Sequence, residues 1–215
     1  MNGVKGAIFD LDGTLLDSMG IWAQIDRQFL AKRGISLPVD YVEKVTPMNY
    51  KDAAAYTIAR FALPETADEI IREWVEMSVQ TYQFEVSLKP HAGEYLNQLK
   101  RQGVKLAIAT AQTPELYEPA LKNNGIYNLF DAFVNLGEVE RGKGFPDIYL
   151  LAAQRLGFPA QDCVVFEDIS AGIRGAKAGG FQTCGVDDPY SNYEKDVIVR
   201  EADEYILSFG ELLES

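Results

Sequence analysis

The sequence predicts an α/β protein in which a doubly wound parallel sheet carries an inserted all-helical cap. Three observations lead there. From residue 91 onward helix and strand patterns alternate, residues 4–9 form a short apolar run that reads as a buried strand, and the stretch between Leu15 and Leu88 shows helical periodicity without a strand. One strand cannot bury itself, so residues 4–9 belong to the later sheet. The helical stretch is then an insertion: 1–14 and 89–215 form the core, and 15–88 form the cap over the carboxyl edge of the sheet.

In chain order, Ile21, Trp22, Ile25, Phe29 and Leu30 recur at three- and four-residue steps until Gly34 ends the helix. A second amphipathic segment covers 38–45, and helical patterns continue over 52–61 and 67–84, where Ile70, Ile71, Trp74, Val75 and Met77 supply apolar faces. After Lys89-Pro90 the rhythm changes. The chain reads as helix to 101, strand 104–110, helix 114–124, a short strand near 133–134, helix 146–156, strand 163–166, helix 171–178, strand 182–186 and a last strand near 205–207. Such alternation fits a Rossmann-like parallel sheet with right-handed crossovers.

At 215 residues, with 47% hydrophobic and 24% charged residues, the chain has the composition of an ordinary globular protein. No apolar run is long enough to cross a bilayer, and Met1-Asn2-Gly3-Val4-Lys5 leads into a strand instead of a signal-peptide core, so no membrane partner is expected. Cys163 and Cys184 fall in or beside core strands and read as reduced thiols of a cytoplasmic protein. A formal net charge of −12 argues against nucleic acid as a partner. The same charge repels a phosphorylated substrate, so any phosphate site has to supply local positive charge.

Chemistry concentrates at the strand ends. Asp10 and Asp12 follow the first strand, where open α/β sheets place their sites, and a turn at Gly13 lets both carboxylates approach one centre. Two acids sharing a site need neutralising, and hard oxygen ligands favour magnesium over zinc or copper. A calcium loop is excluded because Thr14 and Leu15 stand where it requires an acid followed by glycine. The strand over 104–110 ends in Thr110-Ala111-Gln112-Thr113; Thr110 reads either as a helix cap before Pro114 or as a hydroxyl and N–H pair for a phosphoryl oxygen. Glu167-Asp168 closes another strand and, beside Asp10 and Asp12, completes a magnesium site. Four carboxylates leave excess negative charge, and Lys143, in Arg141-Gly142-Lys143-Gly144, is the best-placed offset. The only histidine, His91, cannot form a metal cluster alone and reads as a structural or hinge residue.

Asp10-Leu11-Asp12-Gly13-Thr14, Thr110, Lys143 and Glu167-Asp168 stand in the order of the four motifs of the haloacid dehalogenase superfamily, which the chain resembles over nearly its whole length. Pro146-Asp147 and the run from Gly172 to Gly180 are similar to its β-phosphoglucomutase-like branch. The resemblance implies an aspartyl-phosphate on Asp10 and general acid/base chemistry at Asp12, with Thr110 and Lys143 on the phosphoryl group. It implies magnesium held by Asp10, the Asp12 backbone carbonyl and Asp168, with Glu167 beside or behind it. Substrate contacts are expected from Gly13, Ser18, Trp22, Lys51, Ala111 and Gln112.

Departures from the family bear on substrate. Gly144 replaces a common Pro and Ile169 a common Ser or Thr, and neither change removes a catalytic group. Mutases of the branch carry a His in the first cap helix and an Arg that grips a distal phosphate; here those places hold Trp22 and about Tyr50, with Lys51 the nearest cation. The stretch Asp17-Ser18-Met19-Gly20-Ile21-Trp22 instead resembles members that hydrolyse small sugar phosphates. The expectation is a monomeric, magnesium-dependent phosphomonoesterase for a small phosphorylated metabolite. Its rivals are a phosphosugar mutase and a catalytically silent phosphate-binding or regulatory protein.

Overall fold

The computed structural model describes residues 3–213, except for the side chains of Trp22, Gln80, Thr81, Gln83 and Glu85. Six strands, β1 (Gly6–Phe9), β2 (Lys105–Thr110), β3 (Ala132–Asn135), β4 (Cys163–Glu167), β5 (Gln182–Val186) and β6 (Glu204–Ile206), form one sheet in the order β3-β2-β1-β4-β5-β6. All its pairings are parallel. The strands are apolar on both faces because both faces are covered. Ala7, Phe9, Leu106, Ile108, Val164 and Phe166 face one apolar cluster, while Ile8, Ala107, Ala109, Cys163 and Val165 face the other. Helices α5 (Ala92–Arg101) and α6 (Pro114–Asn123) close the first side; α7 (Asp147–Leu156) and α8 (Ser170–Ala178) close the second. The rings of Phe9 and Phe166 stack 4.5 Å apart and lock β1 to β4. Cys163 and Cys184 are buried and unpaired with each other, as their strand positions imply.

The order matters for function. From β1 the chain moves outward through β2 and β3, then returns to the other side of β1 as β4. The carboxyl ends of β1, β2 and β4 therefore meet where the winding reverses, which is where an open α/β sheet leaves a crevice.

The cap comprises α1 (Met19–Ala31), α2 (Tyr41–Val45), α3 (Tyr50–Phe61) and α4 (Ala67–Glu85), with an apolar cluster of its own around Phe29, Leu30, Ala54, Ile70 and Trp74. Thr66 and Glu69 form a capping box that starts α4. Two chain crossings join cap to core. Lys89 N–H donates to Leu15 O at 2.9 Å, Asp17 N–H donates to Ser87 O at 2.9 Å, and Leu16 bridges Leu88 antiparallel. His91 follows at this re-entry with φ 64°, in the left-handed region, at the N-cap of α5.

Some boundaries differ from the sequence reading. The second cap helix starts at Tyr41, because Pro38 and Asp40 are spent on the turn that precedes it. Thr113, not Thr110, is the N-cap of α6. A further helix, α9 (Lys195–Glu201), lies between β5 and β6; at seven residues it is too short for a readable period. Among the described residues no helix is long and apolar enough to cross a membrane.

Candidate active site

At the carboxyl end of β1, Asp10 is buried and its carboxylate is in contact with the ammonium of Lys143. Lys143 reaches it from the loop before α7 and also contacts Glu167 Oε1 at 2.6 Å. A close approach of backbones holds that loop. A Cβ on Gly175 of α8 would sit 2.0 Å from the Lys143 carbonyl oxygen, so only glycine lets the helix lie against the loop that aims the lysine. Tyr149 on α7 donates to the same Glu167 oxygen at 2.9 Å.

Asp168 completes the group. Thr14 Oγ donates to its Oδ1 at 3.3 Å and Ser191 Oγ to its Oδ2 at 2.9 Å. Gly13 turns with φ 82°, and a Cβ there would lie 2.4 Å from Asp168 Oδ2, so glycine is required for both its conformation and its space.

Asp12 stands apart from this cluster. Its Oδ1 accepts from Ser18 Oγ at 2.5 Å and its Oδ2 from Gln112 Nε2 at 2.7 Å. Gln112 Oε1 in turn accepts from the Tyr50 hydroxyl of cap helix α3 at 2.5 Å. A chain of hydrogen bonds thus runs from the cap through Gln112 to Asp12.

The electrostatics follow from burial. Desolvation pushes the Asp10 carboxyl well above the ordinary range; Lys143 pulls it back, and Glu167, Asp168 and Asp12 push it up further. Burial and Glu167 raise Asp168 to about 7 against the pull of Lys143. Burial works to lower Lys143, but Asp10 and Glu167 outweigh it and hold the ammonium charged. One cation therefore serves three buried acids. Asp10, Glu167 and Asp168 each offer an oxygen within 4.8 Å of the others, and Glu167 Oε2 is buried without a hydrogen-bond partner among the described residues. A crowded all-oxygen donor set with an unused acceptor and excess negative charge fits a hard divalent cation.

The sequence-predicted residues sort into three groups. Asp10, Asp12, Lys143, Asp168, Ala111 and Gln112 line one cavity between core and cap, and Glu167 lies directly behind it. Ser18, Gly13 and Thr110 are second to that surface. Ser18 is fully buried and serves Asp12, Gly13 serves Asp168, and the buried Thr110 hydroxyl accepts from Gln112 N–H at 3.1 Å. Ser18, expected as a substrate contact, has its hydroxyl on Asp12 and supports that carboxylate. Lys51, also expected at the substrate, is exposed and does not line the cavity, because Tyr50 takes the inward position at the start of α3 and the next residue turns to solvent. The backbone of Trp22 belongs to α1, and its side chain lies outside the described residues.

Sequence reasoning missed Tyr149, Ser191, Tyr50 as a partner of Gln112, and Asp26, a cap carboxyl on the cavity wall. Ser191 had a signal. Asp187-Asp188 follow β5 as Glu167-Asp168 stand at the end of β4, and an acidic pair at the end of a buried strand again marks the functional edge.

A family model described as haloacid dehalogenase-like hydrolase matches residues 7–186. The chain is 30% identical over 207 residues to validoxylamine A 7'-phosphate phosphatase of Streptomyces hygroscopicus subsp. limoneus, covering 93% of this chain and 95% of that protein. It is 30% identical over 187 residues to hexitol phosphatase A of Escherichia coli (strain K12), covering 86% and 84%. Among solved structures, CbbY from Rhodobacter sphaeroides in complex with phosphate superposes with a TM-score of 0.84 at 27% identity, covering 97% of this chain and 96% of that one.

Proposed function

The chain belongs to the haloacid dehalogenase-like hydrolases and is a phosphatase of that family, and from this membership we propose that it hydrolyses the phosphomonoester of a small sugar or polyol through an aspartyl-phosphate on Asp10. The observation that carries the reading is the bridge of Lys143 between Asp10 and Glu167 at the switch point of the sheet. It keeps a nucleophilic carboxylate beside fixed positive charge, which phosphoryl transfer needs more than covalent help.

In this mechanism an Asp10 oxygen attacks phosphorus in line, the bond from phosphorus to the leaving oxygen breaks, and Asp12 gives that oxygen a proton. Asp12 then takes a proton from a water that attacks the same phosphorus, and the bond to Asp10 breaks to release phosphate. Lys143 stabilises the charge on the transferring group. Ser18 and Gln112 hold the Asp12 carboxyl towards the leaving oxygen. Asp10 and Asp168, with Glu167 behind them and the Asp12 carbonyl, would hold a divalent cation; we assign magnesium, on the hard oxygen donors. When bound, it neutralises phosphoryl charge. We assign 1–14 and 89–215 to the catalytic core and 15–88 to the cap, and take the enzyme as a cytoplasmic monomer.

The test is phosphate release from a panel of sugar, polyol and nucleotide monophosphates, with magnesium and with EDTA, and with Asp10→Asn as control. Magnesium-dependent release that disappears in the control is expected. Release that survives both EDTA and the substitution would remove Asp10 and the metal from the reaction.

A further inference from the structure

The cavity has a second wall, and its chemistry is unlike the first. Across from Asp10 and Lys143 the cap presents Ile25, Val42, Val45 and Met48, with Asp26 and Trp74 among them. Among the described residues that line the cavity, no Lys, Arg or His comes from the cap, and Lys143 is already held between Asp10 and Glu167. Asp26 makes no ion pair or hydrogen bond to any described residue. Burial raises its carboxyl to about 7, and its field helps to push the hydroxyls of Tyr41 and Tyr50 up. The indole N–H of Trp74 is also buried without a hydrogen-bond partner among the described residues.

The half-buried Asp26 carboxyl, left without a described partner on a largely apolar wall, is costly unless a ligand completes it. A hydroxyl can do so, since it donates to a carboxylate oxygen. A second phosphate or carboxylate has no proton to give and would meet Asp26 in a desolvated pocket with no free cation opposite among the described residues.

We propose that Asp26 is the specificity residue of this phosphatase, holding a hydroxyl of an uncharged sugar or polyol leaving group and turning away monophosphates that carry a second anionic group. The inference rests on the phosphatase reading above and narrows it. It also decides between hydrolase and mutase. A phosphosugar mutase has to hold a bisphosphate intermediate in either orientation, which puts a phosphate against this wall in every cycle.

The experiment uses the full chain with magnesium and measures kcat/KM for four probes: sorbitol 6-phosphate, fructose 1,6-bisphosphate, 2-phosphoglycolate and p-nitrophenyl phosphate. Sorbitol 6-phosphate should exceed both doubly anionic compounds by at least about a hundredfold, the discrimination expected when a site's polar groups are matched by one substrate and opposed by another. Rates within about tenfold of each other would overturn the proposal and leave the phosphatase intact. No release from any of the four, p-nitrophenyl phosphate included, would instead sink the phosphatase reading itself.

Two substitutions then place the effect on Asp26. Asp26→Asn should lower the ratio of kcat/KM for sorbitol 6-phosphate over p-nitrophenyl phosphate by about tenfold, mostly through KM, because the lost contact is made equally in ground and transition states. Asp26→Lys should move the preference towards fructose 1,6-bisphosphate by at least about a hundredfold. If the lysine variant does not fold, the Asp26→Asn ratio decides. Unchanged ratios in folded variants would overturn the assignment.

Discussion

The two walls of the cavity follow opposite rules. On the core side polar atoms are tied to one another: Lys143 to Asp10 and Glu167, Tyr149 to Glu167, Ser191 and Thr14 to Asp168, and Ser18 and Gln112 to Asp12. On the cap side one carboxyl and one indole N–H stand in apolar surroundings without described partners. Pre-tied groups are already arranged for a reaction, whereas open ones await a ligand. The core wall therefore carries the chemistry and the cap wall the choice of leaving group.

If that division is right, the largest losses come from the core wall. Asp10→Asn keeps the shape and removes the nucleophile, so turnover should fall by at least about 10⁴-fold for every substrate alike. A loss confined to some substrates in steady-state assays would erase the distinction between the walls.

Lys143→Ala comes next, with an expected loss of about 10³-fold in kcat. The fold should also weaken by about 3–5 kcal/mol, since Asp10 and Glu167 are left buried and facing each other without their cation. Urea denaturation with and without magnesium checks this, because a divalent ion should return part of the lost stability. An unchanged midpoint would mean that Lys143 is not the counter-charge of the site.

Much of the core wall was legible in the sequence because strand ends have fixed positions: an apolar run must be buried, and whatever polar residue closes it arrives at the carboxyl edge. Asp10, Thr110 and Glu167-Asp168 were all found in that way, and the glycines of α8 acquire a reason in the contact of Gly175 with the Lys143 loop. The cap wall was not legible. On an amphipathic helix Asp26 looks like any solvated acid, and only the docking of the cap on the core turns its face inward. For the same reason Lys51 looked available and Tyr50 did not, although a single helical step decides which of them meets Gln112.

Tyr50 is where the walls touch, and removing its hydroxyl tests whether the cap acts on the chemistry at all. Tyr50→Phe frees Gln112 from α3 and loosens Asp12, so kcat should fall by about tenfold while the melting temperature changes little. Pre-steady-state kinetics should place the loss in formation of the aspartyl-phosphate, where Asp12 protonates the leaving oxygen. An effect on KM alone would make Tyr50 a binding residue and leave the walls uncoupled.

The smallest effect tests the cap wall without any substrate. Asp26 has a folded-state pKa raised from 3.8 to about 7 by burial. Well below pH 3.8 the carboxyl is protonated in folded and unfolded chains alike and costs nothing. As pH rises towards 7, the unfolded chain gives up this proton while the folded chain keeps it, so wild-type stability declines, and above 7 the whole penalty is present. The full shift corresponds to about 4 kcal/mol, but the carboxyl is only half-buried and open to the cavity, which brings the expected penalty to about 1–2 kcal/mol. Asp26→Asn cannot titrate, so it should lie close to wild type near pH 3.5 and exceed it near pH 8. Denaturation curves at the two pH values measure the difference directly. Equal gaps at both would mean that Asp26 is solvated in the folded protein, and a solvated carboxyl there would no longer need a hydroxyl to complete it.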